Sequence, residues 1–258
     1  MRDGETSIAP GLTPHGEPAR YLTFDSLIAV GLPHATTTRH SGAIALASAR
    51  PTPFAGAAGE VLARAGLAME RVAWGRQVHG ADVARVGAGG GFAGDVDVLV
   101  TTEPGVPLAI FTADCLAVVL VDVGAPALAL AHVGWRGTVR GATQAAVAAI
   151  IAAGGCSENI RATISPSVGP CCYEVDAPVI DTLAAAYPDR WRAWTTPSKN
   201  AGHLMLDLWS ANVALLEGAG VSAARIENPR LCTACHVDTF YSYRKGETGR
   251  LATVAALP

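Results

Sequence analysis

The sequence predicts an α/β protein, a single-domain mixed-sheet α/β sandwich with helices packed on a mixed β-sheet. Half of the 258 residues are apolar and 16% are charged, so the chain can bury a large core and is not mainly disordered. Strand-like and helix-like segments are interleaved, yet several strands follow one another directly, which argues against a purely parallel Rossmann sheet. We expect a flexible N-terminal tail over residues 1–20, which are polar and rich in Pro and Gly, and one domain over residues 21–258.

The individual elements follow from hydrophobic periodicity and from Gly or Pro stop signals. Helical spacing predicts four helices, at 57–66, 138–153, 178–187 and 206–218. Short β-prone runs predict eight strands, at 71–78, 82–86, 97–101, 108–112, 117–122, 127–132, 162–165 and 239–243.

Composition excludes several classes of function. The 19 basic residues do not outnumber the 22 acidic ones, so we expect no nucleic-acid partner. Neither a signal peptide nor an apolar run of bilayer length is evident, which favours a cytoplasmic protein without a membrane partner. The six cysteines are then expected to be mostly reduced, and not a disulfide framework. The sequence leaves the oligomeric state open, and we take a monomer as the working assumption.

A histidine and a cysteine are predicted to meet at one end of a hairpin around residues 123–126. Pairing Asp122 with Ala127 sets Cys115 diagonal to His132 on the same face. Diagonal neighbours lie about 7–8 Å apart at the backbone, close enough for both side chains to bind one Zn²⁺.

His79 supplies a candidate third ligand, since it ends a strand-like run and is followed by Gly80. Two His and one Cys with an open fourth position are typical of catalytic zinc, whereas structural zinc usually has four protein ligands. An open position holds a water whose pKa falls toward about 7. By spacing alone, each of these histidines is better explained as an ordinary hydrogen-bonded side chain than as a metal ligand.

Cations and aromatic residues flank these candidates. The glycine-rich turn after His132 carries Arg136 and Arg140, which suit an anion or merely a strand-to-helix turn. Asp114 has three interpretations: support of the metal ligand, general acid/base work, or capping of a turn.

The CxxC formed by Cys232 and Cys235 indicates a redox pair or half of a structural zinc site. Cys171-Cys172 or His236 could supply further ligands. Adjacent cysteines point in different directions in most backbones, so we expect no tidy four-ligand site there.

Five stretches resemble the YfiH/YlmD laccase-domain family. They are WGRQVHG (74–80), DVLVTTEPGVPLAIFTADCLAVVLVD (97–122), AHVGWRGTVRG (131–141), SVGPCCYEV (167–175) and CT…FYSYRKGETGR (232–250). The HG, ADC and HxGWRG elements, in that order, make the likeness specific, and it extends from about residue 30 to the C-terminus. The chain departs from the family pattern over residues 40–49 and at Ser165, which bears on the substrate pocket more than on the metal site.

The resemblance implies a single mixed α/β sandwich with a metal site of two His and one Cys. Carried over residue by residue, those ligands are His79, Cys115 and His132. The family's labels are polyphenol oxidase (laccase) and purine nucleoside phosphorylase acting on adenosine, inosine and methylthioadenosine, with adenosine deamination. Arg39 and Arg136 match family arginines.

The favoured interpretation is a zinc-dependent purine nucleoside phosphorylase with nucleoside and phosphate as partners. We expect Arg136 with Arg39 or Arg244 to hold phosphate, Tyr243 or Tyr241 to stack on the purine, and Asp114 or a zinc-bound water to protonate it.

Two other enzyme classes remain open. One is a copper polyphenol oxidase, although seven histidines without any His-x-His pair are few for a four-copper set, and Cu²⁺ binding in vitro is expected to be adventitious. The other is a cysteine hydrolase with Cys115 as nucleophile and His132 as base.

Overall fold

Two large β-sheets packed face to face form the middle of the fold, and helices cover their outer faces. The computed structural model describes residues 9–42, 44, 53–54 and 56–258. Most of the 40–49 segment that departs from the family pattern therefore lies outside the described residues.

The strands are β1 (Leu12–His15), β2 (Tyr21–Phe24), β3 (His34–Thr37), β4 (Ala73–Trp74), β5 (Val83–Val86), β6 (Gly91–Phe92), β7 (Val98–Thr101), β8 (Leu108–Thr112), β9 (Leu116–Asp122), β10 (Ala127–Val133), β11 (Ile160–Ile164), β12 (Glu174–Val175), β13 (Thr195–Pro197), β14 (Leu204–Leu206), β15 (Ile226–Glu227) and β16 (Leu251–Ala255). The helices are α1 (Asp25–Ile28), α2 (Ala57–Arg64), α3 (Trp135–Arg140), α4 (Ala142–Ala152), α5 (Ala177–Ala186) and α6 (Leu208–Gly218). None of the helices in the described parts of the chain is long and apolar enough to cross a membrane.

The sheets are mixed, as predicted. The first has the strand order β1-β2-β3-β16-β8-β4-β6, the second β15-β11-β9-β10-β7-β5, and a small third sheet β12-β14-β13. In the second sheet β9 runs antiparallel to both β10 and β11, while β5 runs parallel to β7. The predicted α/β class with a mixed sheet is confirmed.

Three apolar layers hold these elements together. Side chains from both large sheets fill the space between them, including Leu108, Val119, Leu130 and Leu251. The outer face of the second sheet packs on α4 and α6, through residues that include Leu120, Ala129, Ile150 and Leu215. The outer face of the first sheet packs on α2, through residues that include Phe111, Val254 and Leu62. Because both faces of β9 and β10 are buried, these strands are continuous apolar runs in the sequence.

The predicted register of the central hairpin is confirmed. Asp122 pairs with Ala127, and Ala117 pairs with His132. Alternation along β10 places Leu128 and Leu130 in the layer between the sheets, so His132 also faces that layer, at its edge.

Other sequence predictions are corrected by the structure. The helix predicted at 138–153 is two helices, because Gly141 adopts a left-handed φ of 84° between α3 and α4. Only Ala73–Trp74 of the segment 71–78 is a strand. The segment 239–243 is not a strand, because the amides of Thr239 and Phe240 both donate to the His236 carbonyl in a turn.

The expected N-terminal tail is also wrong in part. Residues 1–8 lie outside the described residues, but Leu12–His15 pairs antiparallel with β2 over four residues. The driving force is burial: the Leu12 side chain is 3% exposed and belongs to the layer between the sheets.

The Asp122 carboxylate fixes the turn of the central hairpin. One oxygen accepts from the amides of Gly124 at 2.6 Å and Ala125 at 2.9 Å, and the other accepts from the Cys156 amide at 2.6 Å. The residue is 3% exposed, so these bonds are shielded from water. Although burial raises the pKa of this carboxyl, the bonds from the three amides outweigh it and lower the pKa.

Replacing Asp122 with Ala is expected to lower the free energy of unfolding by about 2–3 kcal/mol, because three amides lose a charged acceptor. The matched control is Asp189→Ala, which changes an exposed carboxylate in the turn after α5 and should shift stability by less than about 0.5 kcal/mol. Urea denaturation followed by tryptophan fluorescence measures both. Equal effects of the two substitutions would contradict the role given to Asp122.

Candidate functional site

A cavity of about 470 Å³ opens at the end of the central hairpin, a size typical of small-molecule sites. Segments far apart in the chain line it. Its walls include His79, residues 113–115, 134–136 and 173–176, and residues 243–244.

His79 and Cys115 line this cavity, and His132 lies directly behind them. Their ligating atoms lie within 4.8 Å of one another. The two imidazole rings are 4.8 Å apart between centroids and inclined by 74°. The predicted convergence of Cys115 with His132 is therefore found, and His79 joins them.

Local structure explains how His79 reaches this point. The Gln77 side chain binds β8 as a strand would, accepting from the Phe111 amide at 2.7 Å and donating to the Phe111 carbonyl at 2.6 Å. His79 itself has a left-handed φ of 58°, and Arg140 donates to its carbonyl at 2.8 Å. These contacts aim the imidazole into the cavity and hold the strained backbone in place.

Asp97 joins the His79 loop to β10, and sequence reasoning gave it no role. Its carboxylate is fully buried and accepts from the His132 Nδ1 at 2.8 Å. It also accepts from the amides of Val78 at 3.1 Å, His79 at 3.0 Å and Gly80 at 2.6 Å. When the His132 ring is neutral, donation from Nδ1–H to the carboxylate leaves the lone pair on Nε2, the tautomer that a metal ligand needs. An acidic residue at the start of a strand was the one signal available.

The electrostatics of the trio favour a thiolate. Burial raises the pKa of the Cys115 thiol, but hydrogen bonds and charge from His132 and His79 outweigh it and lower the pKa to about 6. Burial lowers the pKa of His132, but Asp97 and Cys115 outweigh it and raise the pKa to about 9. The structure thus favours the ligand or nucleophile form of Cys115 at neutral pH.

Gly134 has no side chain, and the Cys115 thiol occupies the space where a side chain at this position would lie. A Cβ at this position would lie 2.7 Å from the Cys115 Sγ and 3.5 Å from the His79 Cδ2. Since real Cβ atoms do not approach a sulfur so closely, a side chain here would displace the thiol.

Asp114 lies in the cavity wall, but its carboxylate is already engaged. It accepts from the Thr233 hydroxyl at 2.6 Å, from the Ser242 hydroxyl at 3.1 Å and from the Arg244 amide at 2.6 Å. Because three donors from two other segments hold this carboxylate, the arrangement favours the interpretation of Asp114 as support over that of a general acid. Its left-handed φ of 87° marks the turn before β9.

Two arginines in the cavity wall stack on aromatic rings. The Arg136 guanidinium lies 4.3 Å from the Trp135 ring centroid, and that of Arg244 lies 5.1 Å from the Tyr173 centroid. Among the ion pairs of the described residues, neither arginine has a carboxylate partner. Their charges are therefore free to bind an anion.

The structure places Arg39 differently. Its guanidinium donates to Glu247 at 2.6 Å and lies 4.9 Å from the Tyr241 ring centroid, and it does not line the cavity. Glu247 also accepts from the Ser242 amide at 2.8 Å. Arg39 thus supports the segment that carries Arg244. Tyr243, in the same segment, lines the edge of the cavity, and 73% of its surface is exposed.

Replacing Asp97 with Asn is expected to weaken zinc binding by about 10- to 100-fold, because an amide nitrogen cannot accept from the loop amides and His132 loses its orientation. Competition with a chelator measures the zinc affinity. Asp95→Asn is the matched control, since Asp95 lies nearby in sequence and forms only an exposed pair with Arg76. Equal zinc affinities for both variants would rule out the orienting role of Asp97.

Comparison with known proteins places this geometry in a family. The family model described as multi-copper polyphenol oxidoreductase laccase matches residues 55–258. The purine nucleoside phosphorylase of Deinococcus radiodurans is 37% identical over 241 residues, covering 89% of this chain and 90% of that protein. The adenosine deaminase RL5 of an unknown prokaryotic organism is 35% identical over 150 residues, covering 58% of this chain and 57% of that protein.

A solved structure shares the fold across nearly the whole chain. The crystal structure of YlmD from Geobacillus stearothermophilus superposes with a TM-score of 0.85 at 28% identity, covering 95% of this chain and 98% of that one. From the family match, the relatives and this shared fold, the chain belongs to the YfiH/YlmD laccase-domain family.

Proposed function

We propose that the protein is a zinc-dependent purine nucleoside phosphorylase acting on adenosine, inosine and methylthioadenosine, with adenosine deamination as a side activity. The observation that carries the proposal is one cavity whose wall contains His79 and Cys115 of a two-His, one-Cys cluster, together with two arginines free of carboxylates. The relatives named purine nucleoside phosphorylase and adenosine deaminase support the same assignment.

The donor set suits zinc. His79, Cys115 and His132 supply two nitrogens and one sulfur within 4.8 Å of one another, and Asp97 fixes the tautomer of His132. Zinc bound by three protein ligands supplies a Lewis acid with an open position and an activated water. The same ligands bind Cu²⁺ more tightly than Zn²⁺, so copper uptake is expected when the protein is exposed to that ion in vitro.

Phosphorolysis requires that phosphate and nucleoside be held together. An oxygen of dihydrogen phosphate forms a bond to C1′ of the ribose while the bond from C1′ to the purine nitrogen breaks, and the departing purine takes up a proton that the phosphate gives up. We assign phosphate binding to Arg136 and Arg244, whose planar guanidinium groups are preoriented by Trp135 and Tyr173. Holding both reactants in one cavity lowers the entropic part of the barrier.

Purine binding is assigned to the exposed ring of Tyr243, which lines the cavity beside Arg244. Asp114 is assigned a positioning role, since it holds the backbone of Arg244 through its carboxylate. Arg39 is also assigned a positioning role, because it binds Glu247, which in turn accepts from the Ser242 amide in the segment that carries Arg244.

The direct test is incubation of the purified protein with adenosine, with and without phosphate, followed by identification of the products. We expect adenine and ribose 1-phosphate only when phosphate is present, with inosine as a minor product. Formation of inosine alone would show a deaminase without phosphorylase activity. If adenosine, inosine and methylthioadenosine all remain unchanged in the same assay, the proposal is refuted.

Chelation separates the proposal from the cysteine hydrolase interpretation, which uses the same residues. Removal of zinc is expected to abolish phosphorolysis, and adding zinc back should restore it. Activity that survives metal removal but is blocked by alkylation of Cys115 would favour the nucleophile. Turnover of phenols that depends on copper, without any nucleoside turnover, would favour the polyphenol oxidase.

Replacing Arg136 with Ala is expected to raise the KM for phosphate about 10- to 100-fold, since a charged hydrogen-bond donor to phosphate is lost. Arg192→Ala is the matched control, because Arg192 also stacks on a tryptophan, 4.6 Å from the Trp191 ring centroid, but does not line the cavity. Initial rates at varied phosphate concentration measure the effect. An unchanged KM in the Arg136 variant would remove this residue from the phosphate site.

A further inference from the structure

Four cysteines form a second cluster that the proposed function does not use. Cys171, Cys172, Cys232 and Cys235 come from two segments more than fifty residues apart in the sequence. Their sulfur atoms nevertheless all lie within 4.8 Å of one another. The expectation that adjacent cysteines would prevent such a site is therefore wrong.

Backbone pairing brings the two segments together. Ser167 and Cys232 form an isolated parallel bridge, in which the Ser167 amide donates to the Leu231 carbonyl and the Thr233 amide donates to the Ser167 carbonyl. A tight turn follows, with the amides of Cys172 and Tyr173 both donating to the Gly169 carbonyl at 3.0 Å. Because of this turn, the thiols of Cys171 and Cys172 both lie next to the Cys235 thiol.

The distances suit a single tetrahedral ion. The Cys235 Sγ lies 3.5 Å from the Sγ of Cys171 and 3.5 Å from that of Cys172. A tetrahedron with Zn–S bonds of about 2.3 Å has sulfur–sulfur edges of about 3.8 Å. A disulfide joins only two sulfurs and gives no reason for the other two to converge.

Hydrogen bonding also suits thiolate ligands. All four cysteines are free, and Cys232, which is 5% exposed, accepts from the Gly169 amide through its Sγ at 3.2 Å. Amide donors of this kind stabilise the charge on a ligating sulfur. His236 is not among the ligating side chains that lie within 4.8 Å of one another, so the four cysteines make up the donor set.

We propose that Cys171, Cys172, Cys232 and Cys235 bind one structural Zn²⁺, separate from the ion at His79, Cys115 and His132. Four thiolates close the coordination sphere, which is typical of structural rather than catalytic zinc. The thiol protons pass to solvent when the ion binds.

The consequence of this second ion is a fixed cavity wall. Neither cysteine segment lies in a helix or a paired strand beyond the single bridge at Cys232, so zinc supplies the cross-link that regular structure does not. Tyr173, which follows Cys172, supports Arg244, and Thr233 holds the Asp114 carboxylate. The four-cysteine ion therefore holds the loops that position Arg244.

The test is elemental analysis of zinc in the 258-residue chain and three variants. The wild type is expected to hold about two zinc ions per chain, and Cys115→Ser and Cys171→Ser/Cys235→Ser about one each. Both cysteines of the double variant are exposed, and the control is Cys156→Ser, an exposed cysteine outside the cluster that should leave the zinc content unchanged.

Two further measurements on folded protein keep the test decisive if the double variant is unstable. Cobalt-loaded Cys115→Ser protein should show the intense thiolate-to-cobalt absorption of a four-sulfur site. In the native wild type the four thiols should react with the reagent DTNB only after chelation, whereas Cys156 reacts at once.

Three results would overturn the assignment: equal zinc content in the wild type and the double variant, iron as the bound metal, or a mapped disulfide among the four cysteines. Zinc at the four-cysteine site is measured by metal content and by protection of the thiols. These measurements do not depend on whether the protein turns over nucleosides, so this proposal can fail or hold separately from the proposed function.

Discussion

The buried carboxylate of Asp97 is the interaction on which the cavity depends. It accepts four hydrogen bonds, three from the backbone of the His79 loop and one from the His132 ring. Burial raises the pKa of Asp97, but the bonds from His132 and from the loop amides outweigh it and lower the pKa. A charged group without water is stable here only because every partner is in place. The Asp97 carboxylate therefore holds both the His79 loop, which connects the two large sheets, and His132 on β10.

The sequence predicted the central hairpin and the convergence of Cys115 with His132 because that information is local. A short connection and two continuous apolar runs define one register, and the register decides which side chains share a face. Helices α2, α5 and α6 were predicted to within two residues at each end for the same reason. Gly141 was not recognised as a break, since one glycine inside a helical pattern does not reveal its φ.

The features that the sequence did not reveal involve contacts between distant residues. Arg39 matched a family arginine, but its partner Glu247 lies more than two hundred residues later in the chain. The four cysteines meet only because Ser167 pairs with Cys232. The position of Asp97 at the start of a strand was a weak signal, because an acidic residue there is also common as a simple turn cap.

The distribution of histidines bears on the family's oxidase description. Of the seven histidines, only His79 and His132 fall in a cluster of metal-ligating side chains within the described parts of the chain. Both ring nitrogens of His34 form hydrogen bonds with backbone groups, and the Nδ1 of His236 forms one with the Cys232 carbonyl. Donor sets of two nitrogens and one sulfur, and of four sulfurs, hold single ions and offer no histidine-rich array for several coppers.

Strand order has a consequence for how this fold is made. β16 follows every other strand in chain order, yet it lies between β3 and β8 in the interior of the first sheet. That sheet cannot close until residue 255 has been synthesised and has left the ribosome. The edges of β3 and β8 that β16 joins stay unpaired until then, so a chain interrupted before β16 exposes two sheet edges that favour aggregation.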